Sequence, residues 1–86
     1  MPTISRFFGI VIAMNFDDHA PPHFHARYAG FRAAIRIDPI GLLQGELPPR
    51  ALGLVMEWTR LHQPALLENW DRGGRLEPLD LVPPLE

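Results

Sequence analysis

Two neighbouring stretches of this chain alternate apolar and polar positions with period two, and the phase reverses between them. In His23-Phe24-His25-Ala26-Arg27-Tyr28 the even positions are apolar, whereas in Phe31-Arg32-Ala33-Ala34-Ile35-Arg36-Ile37-Asp38 the odd ones are. Period two is the signature of a half-buried strand. A two-residue Ala29-Gly30 connection reconciles the phases. It pairs Tyr28 with Phe31, Arg27 with Arg32, His25 with Ala34, Phe24 with Ile35 and His23 with Arg36, so that core positions meet core positions. A slip of one residue breaks every one of these matches.

Upstream, Phe7 to Phe16 is rich in β-branched and aromatic residues and predicts one buried strand that stops at Asp17-Asp18. Asp17 to Pro22 then forms a stiff, extended loop, because Pro21 and Pro22 lack backbone donors. A short further strand is predicted around Leu42 to Glu46, loosened by Gly41 and Gly45. After Leu47-Pro48-Pro49 the period changes to that of a helix. Leu47, Ala51, Leu54, Val55, Trp58 and Leu61 form an apolar stripe opposite Arg50, Gly53, Glu57 and Arg60. Pro64 predicts the first turn of a second short helix, Ala65 to Arg72, buried through Leu66, Leu67 and Trp70 and ended by Gly73-Gly74. The Pro-rich tail, Leu76 to Glu86, is expected to run extended over the surface or along a sheet edge. The fold predicted is α+β: a small antiparallel sheet of three to four strands packed against one amphipathic helix plus a short second helix.

A length of 86 residues predicts one domain over 1–86 and excludes multi-domain enzymes and TIM barrels. With 47% hydrophobic and 21% charged residues the chain is expected to fold. The net charge of −2 speaks against wholesale duplex DNA binding, and nucleic acid is not the favoured partner. The charge is unevenly placed. Residues 1–50 carry five arginines against four carboxylates, and residues 51–86 three against six. The absence of cysteine excludes disulfides, thiolate metal sites and cysteine nucleophiles, which makes the cytoplasm the expected location. The longest apolar run, Phe7 to Met14, is too short to span a membrane and lacks the flanks of a signal peptide. An apolar strand over Phe7–Phe16 would need cover on both faces, which predicts a homodimer or a hetero-complex.

The candidate chemistry lies on the polar face of the hairpin. It displays His23, His25, Arg27, Arg32 and Arg36, with His19, Asp17 and Asp18 just before it on the Pro-Pro loop. Three uses are compatible with this set. His23 and His25 at i and i+2 could hold a divalent metal with His19 or Asp18 as third ligand, although Arg27 and Arg36 would oppose a dication and the glutamate of a cupin-type site is missing. Alternatively, His23 and His25 could be the acid–base pair of a ribonuclease, with Arg27 or Arg36 as phosphate clamp; parity turns Tyr28 inward. Third, the face could dock an acidic protein or a phosphate without chemistry. Beside these stands a structural role, in which the imidazoles satisfy loop carbonyls and Asp17 or Asp18; for His19 this is the leading account. His62 is expected to cap helix carbonyls, Trp58 and Trp70 to be core, and Glu46, Glu57 and Glu68 to be solvated.

The opening Met1 to Ile10, the block Asp18-His19-Ala20-Pro21-Pro22-His23-Phe24-His25-Ala26-Arg27-Tyr28 and the stretches Glu46-Leu47-Pro48, Glu57-Trp58 and Leu67-Glu68-Asn69-Trp70 together resemble the bacterial domain-of-unknown-function family numbered 4160. Ala13 and Asn15 depart from the larger residues expected there, and Arg50 from a lysine. The resemblance implies a small protein encoded beside a member of another family of unknown function, numbered 2442, in what look like toxin–antitoxin pairs. The function expected is therefore a protein-interaction module of such a pair. It would use His19, His23, His25, Arg27, Arg32 and Arg36 to bind an acidic or phosphate-bearing partner. The alternative is a histidine-dependent ribonuclease or metal-dependent hydrolase at the same cluster.

Overall fold

The computed structural model describes residues 1–86. Five strands form one antiparallel meander in the order β1-β2-β3-β4-β5. They are β1 (Thr3–Phe7), β2 (Ile10–Ala13), β3 (His23–Tyr28), β4 (Phe31–Ile37) and β5 (Ile40–Gly45), followed by the helix α1 (Pro49–Gly74). The expectation of three to four strands falls short because Phe7–Phe16 is not one strand. Phe8 and Gly9 both take positive φ, 50° and 79°, and turn the chain back so that Phe7 pairs with Ile10. This is the backbone of the tight two-residue hairpin turn. An all-apolar stretch offers no parity to betray it. The hairpin buries Phe7, Ile10, Ile12 and Met14 within the chain, whereas Phe8 and Phe16 of the same stretch stay exposed, at 57% and 41%.

The β3–β4 hairpin has the register that parity dictates, from His23 opposite Arg36 to Tyr28 opposite Phe31. Ala29 and Gly30, at φ 47° and 85°, make the turn. β5 begins two residues earlier than expected, at Ile40, and a bulge between Ala34 and Ile35 shifts its pairing. Gly45 closes this strand at φ 78°, where a side chain would run into the Arg32 carbonyl.

α1 covers one face of the sheet through Ala51, Val55, Trp58 and Leu66. The second short helix is not set off by a loop: it continues from the first across a kink at His62 (φ −121°, ψ 19°), two residues before Pro64. A proline removes one N–H and crowds the preceding turn, which bends a helix whose neighbours still hold it. The buried stripe is rotated from the expected one. Thr59 is buried, its hydroxyl donating to the Val55 carbonyl at 2.6 Å, while Leu61 is 64% exposed and Leu54 half-buried. Counting roughly 100° per residue, Leu61 lies about 60° outside the arc from Trp58 to Thr59. Arg50, Glu57 and Arg60 face solvent as expected. Trp58 packs on Phe7 and edge-on to Phe24, with centroids 5.2 and 5.6 Å away.

The tail lies along the sheet edge. Val82 donates to the Ile4 carbonyl at 2.8 Å, and Val82 and Leu85 are buried. Asn69, a polar residue within the helix, clamps this tail by donating to the Asp80 carbonyl at 2.9 Å and accepting from its N–H at 2.8 Å. The tail thus covers the β1 edge.

Candidate functional site

The β3–β4 register places His25, Arg27, Arg32 and Ala34 on the sheet face opposite Phe24 and Ile35, which are fully buried under the helix. β2 adds Ala13 beside His25 and Val11 beside Arg27. Small residues thus flank His25 on both sides, Ala13 on one strand and Ala34 on the other. The depression between the longer side chains is a groove of about 360 Å³, lined by Met1, Ala13, His25, Arg27, Arg32 and Gln44 among others.

Arg27 and Arg32 stand directly across the ladder from each other. Like charges so placed repel. Of the eight arginines, only Arg72 and Arg75 reach a carboxylate, and they do so beyond the kink with Glu68, Glu77 and Asp80. Arg36 belongs to the same face by register, but its Nε donates to the Pro39 carbonyl at 2.8 Å, which ties it to the β4–β5 turn. It is therefore held apart from the groove arginines.

At the end of the face the loop between β2 and β3 delivers Asp18. Its N-terminal side is anchored to the helix end, with Asp17 N–H donating to the Gly73 carbonyl at 3.0 Å. Asp18 Oδ1 accepts the His19 backbone N–H at 2.8 Å. Its Oδ2 accepts from Asn15 Nδ2 at 3.2 Å and lies 3.1 Å from His23 Nε2 and 3.9 Å from His25 Nε2. The side chains of Asp18 and His23 are 14% and 9% exposed. His23 Nδ1 meets the Pro21 carbonyl at 2.8 Å, and its ring packs against Trp70 with centroids 5.2 Å apart. His25 stands edge-on to His23 at 5.1 Å, and its Nε2 is shielded from solvent with no hydrogen-bond partner. His19 is different: its ring is 91% exposed and reaches only the outer Asp18 oxygen, at 3.0 Å.

Burial alone would raise the Asp18 carboxyl, but the Asn15 amide, the His19 N–H and the imidazoles of His23 and His19 hold it below the ordinary carboxylate value. Burial, then the neighbouring His23, pushes His25 below the ordinary imidazole value, against the opposing pull of Asp18. Asp18 is thus an ionised acceptor facing two imidazoles.

The residues singled out from sequence separate into three places. His25, Arg27 and Arg32 line the groove, Asp18 and His23 form the buried corner beside it, and His19 and Arg36 stand outside both. His23 bonds the Pro21 carbonyl of the Pro-Pro loop, and the His19 ring meets Asp18 at the start of that loop. Asp17 is exposed and is not among the carboxylates that meet the imidazoles. Trp70 and Asn15 belong to the corner although nothing in their spacing announces it. His62 makes no capping hydrogen bond; its ring lies 5.6 Å from that of Trp58 at the kink. Tyr28 packs against the core, and Glu46, Glu57 and Glu68 are solvated, as expected.

A five-stranded antiparallel sheet covered on one face by a helix, with a carboxylate–imidazole corner beside an arginine-lined groove on the other, defines a small α+β protein. The family comparison agrees with the resemblance drawn from the motifs. The chain belongs to the DUF4160 family, a domain of unknown function, whose model matches residues 9–71. No curated protein and no solved structure matches the chain.

Proposed function

We propose that this protein is a small interaction module, one member of a cytoplasmic toxin–antitoxin-like pair, whose open sheet face binds an acidic segment of its protein partner. The observation that carries this reading is the facing pair Arg27 and Arg32, which meet no carboxylate beside a groove of about 360 Å³. Opposed guanidinium groups destabilise a sheet unless an anion settles between them. A second feature supports a protein occupant. The tail covers β1, leaving β5 as the free edge, and β5 exposes Leu42 and Leu43 next to the groove residue Gln44. Apolar contact and an unpaired backbone edge suit a polypeptide segment. The geometry favours binding over metal-free acid–base cleavage, because His23 is buried and both its ring nitrogens are engaged, with Pro21 and Asp18. No helix is long and apolar enough to cross a membrane.

Native mass spectrometry of the chain co-expressed with a member of the family numbered 2442, the partner that the resemblance implies, tests this reading. A mixed complex is expected for the wild type. Arg27→Glu should abolish it, because the new carboxylate pairs with Arg32 and occupies the anion position from within. A complex that survives Arg27→Glu, a homodimer with no second protein, or tight binding of a poly(U) oligonucleotide in place of the protein would each overturn it.

A further inference from the structure

Independently of the arginine pair, we propose that Asp18, His23 and His25 form a binding site for one divalent transition-metal ion of zinc type. A carbonyl oxygen can only accept, so the 2.8 Å contact with Pro21 makes His23 Nδ1 the protonated nitrogen. In the neutral ring Nε2 then carries a lone pair, and it faces Asp18 Oδ2 at 3.1 Å. Two lone pairs at that distance repel. Either a second proton or a cation must lie between them.

His25 points to the cation. Its Nε2 is shielded from solvent, finds no hydrogen-bond partner and lies 3.9 Å from the same Asp18 oxygen. A proton on His23 would satisfy His23 alone, whereas one ion takes the lone pairs of both imidazoles and the carboxylate. Ligand atoms of the three side chains all lie within 4.8 Å of one another. Tetrahedral zinc with bonds of about 2.0–2.1 Å separates its ligand atoms by about 3.4 Å, so the pairs at 3.1 and 3.9 Å need only small shifts, and the widest separation closes by at most about 1.4 Å through side-chain rotation. Two imidazoles and one carboxylate match the nitrogen and oxygen preference of zinc and leave a fourth position for water or a partner's donor. The surroundings are also those of a metal ligand. His23 is oriented through its other nitrogen by a backbone carbonyl, and Asp18 is steadied by Asn15 Nδ2 at 3.2 Å. Of the two arginines that would oppose a dication, Arg36 is drawn to Pro39, while Arg27 sits two positions along β3 from His25 and faces the groove rather than the corner.

The test uses the full chain without a histidine tag, stripped with chelator, and titrated with zinc chloride by calorimetry and with cobalt(II) by visible absorption. One ion per chain is expected, with the absorption of a nitrogen- and oxygen-ligated ion and a change in Trp70 fluorescence. His25→Ala and Asp18→Asn should each weaken zinc binding at least tenfold, and His19→Ala should leave it within about twofold. Because the buried His23 could be needed for folding, the partly exposed His25 carries the decision, checked by an unchanged circular dichroism spectrum. No saturable heat, equal binding by His25→Ala and wild type, or loss of binding only with His19→Ala would overturn the site. These outcomes leave the arginine-face reading untouched, because its test turns on Arg27.

Discussion

The indole of Trp58 donates its N–H to the carbonyl of Pro83 at 2.8 Å, linking the centre of the helix to the tail across 25 residues. The same ring is fully buried against Phe7 and Phe24, so one side chain joins the sheet, the helix and the tail. Trp58→Ala should lower stability by about 3–5 kcal/mol, a large part of what so small a chain has. Trp58→Phe keeps most of the ring and removes the donor, and should cost less than Trp58→Ala. Urea unfolding of the two variants measures the difference; equal losses would mean that the bond to Pro83, not packing, dominates.

Asn69 should prove a fastener of the tail. Asn69→Ala removes both bonds to Asp80 at a buried position and should cost about 1–3 kcal/mol. Hydrogen exchange gives the finer check. The N–H groups of Asp80 and Val82 should lose protection while those of β3 and β4 keep theirs.

The facing arginines make an unusual prediction about a surface change. Arg27→Glu places opposite charges across the ladder from each other and should raise stability by about 0.2–1 kcal/mol at low salt. The gain should shrink as salt is added. Thermal melts at low and high ionic strength read both effects. A stabilised variant that has lost partner binding would separate function from folding at a single position.

In chelator, the stability that His25 contributes should fall with acid from near pH 6.5, the ordinary imidazole value. His25 in the folded chain resists protonation, its value lying below 6.5, whereas in the unfolded chain it takes up a proton at that pH. The unfolded state then binds more protons, so the stability His25 contributes is present above pH 6.5 and is lost as pH falls through the depressed value. Asp18, held below 3.8, adds a second loss that begins only below that value. Melting temperatures in chelator between pH 8 and 5 should fall more steeply with acid in wild type than in His25→Gln, a difference that isolates His25 because the His23–Asp18 contact is common to both.

Period and turn chemistry can be read from the chain before it folds. Opposite parities on either side of Ala29-Gly30 admit one register only, and from that register His25, Arg27 and Arg32 must share a face. The burial of Ala51, Val55 and Trp58 was legible for the same reason, as helical periodicity, although packing rotated the stripe toward Thr59; of the two courses open to the Pro-rich tail, contact with β1 chose the sheet edge. Membership of the family was legible because the Asp18-to-Tyr28 block is contiguous. The rest came from packing between distant segments. A uniformly apolar stretch cannot show where it turns, so the Phe8-Gly9 hairpin and the fifth strand were hidden. Pro64 interrupts a helix in isolation, but packing of Leu66 and the Asn69 clamp hold both halves in one kinked element. Above all, the corner is a product of the path of the loop. Which of two adjacent aspartates meets the imidazoles depends on the bond from Asp17 to Gly73 at the far end of α1. The shielding of His23 depends on Trp70, 47 positions along the chain. Strand periodicity can put two histidines on one face, but only the packed helix end supplies the carboxylate geometry and the burial that make them a site.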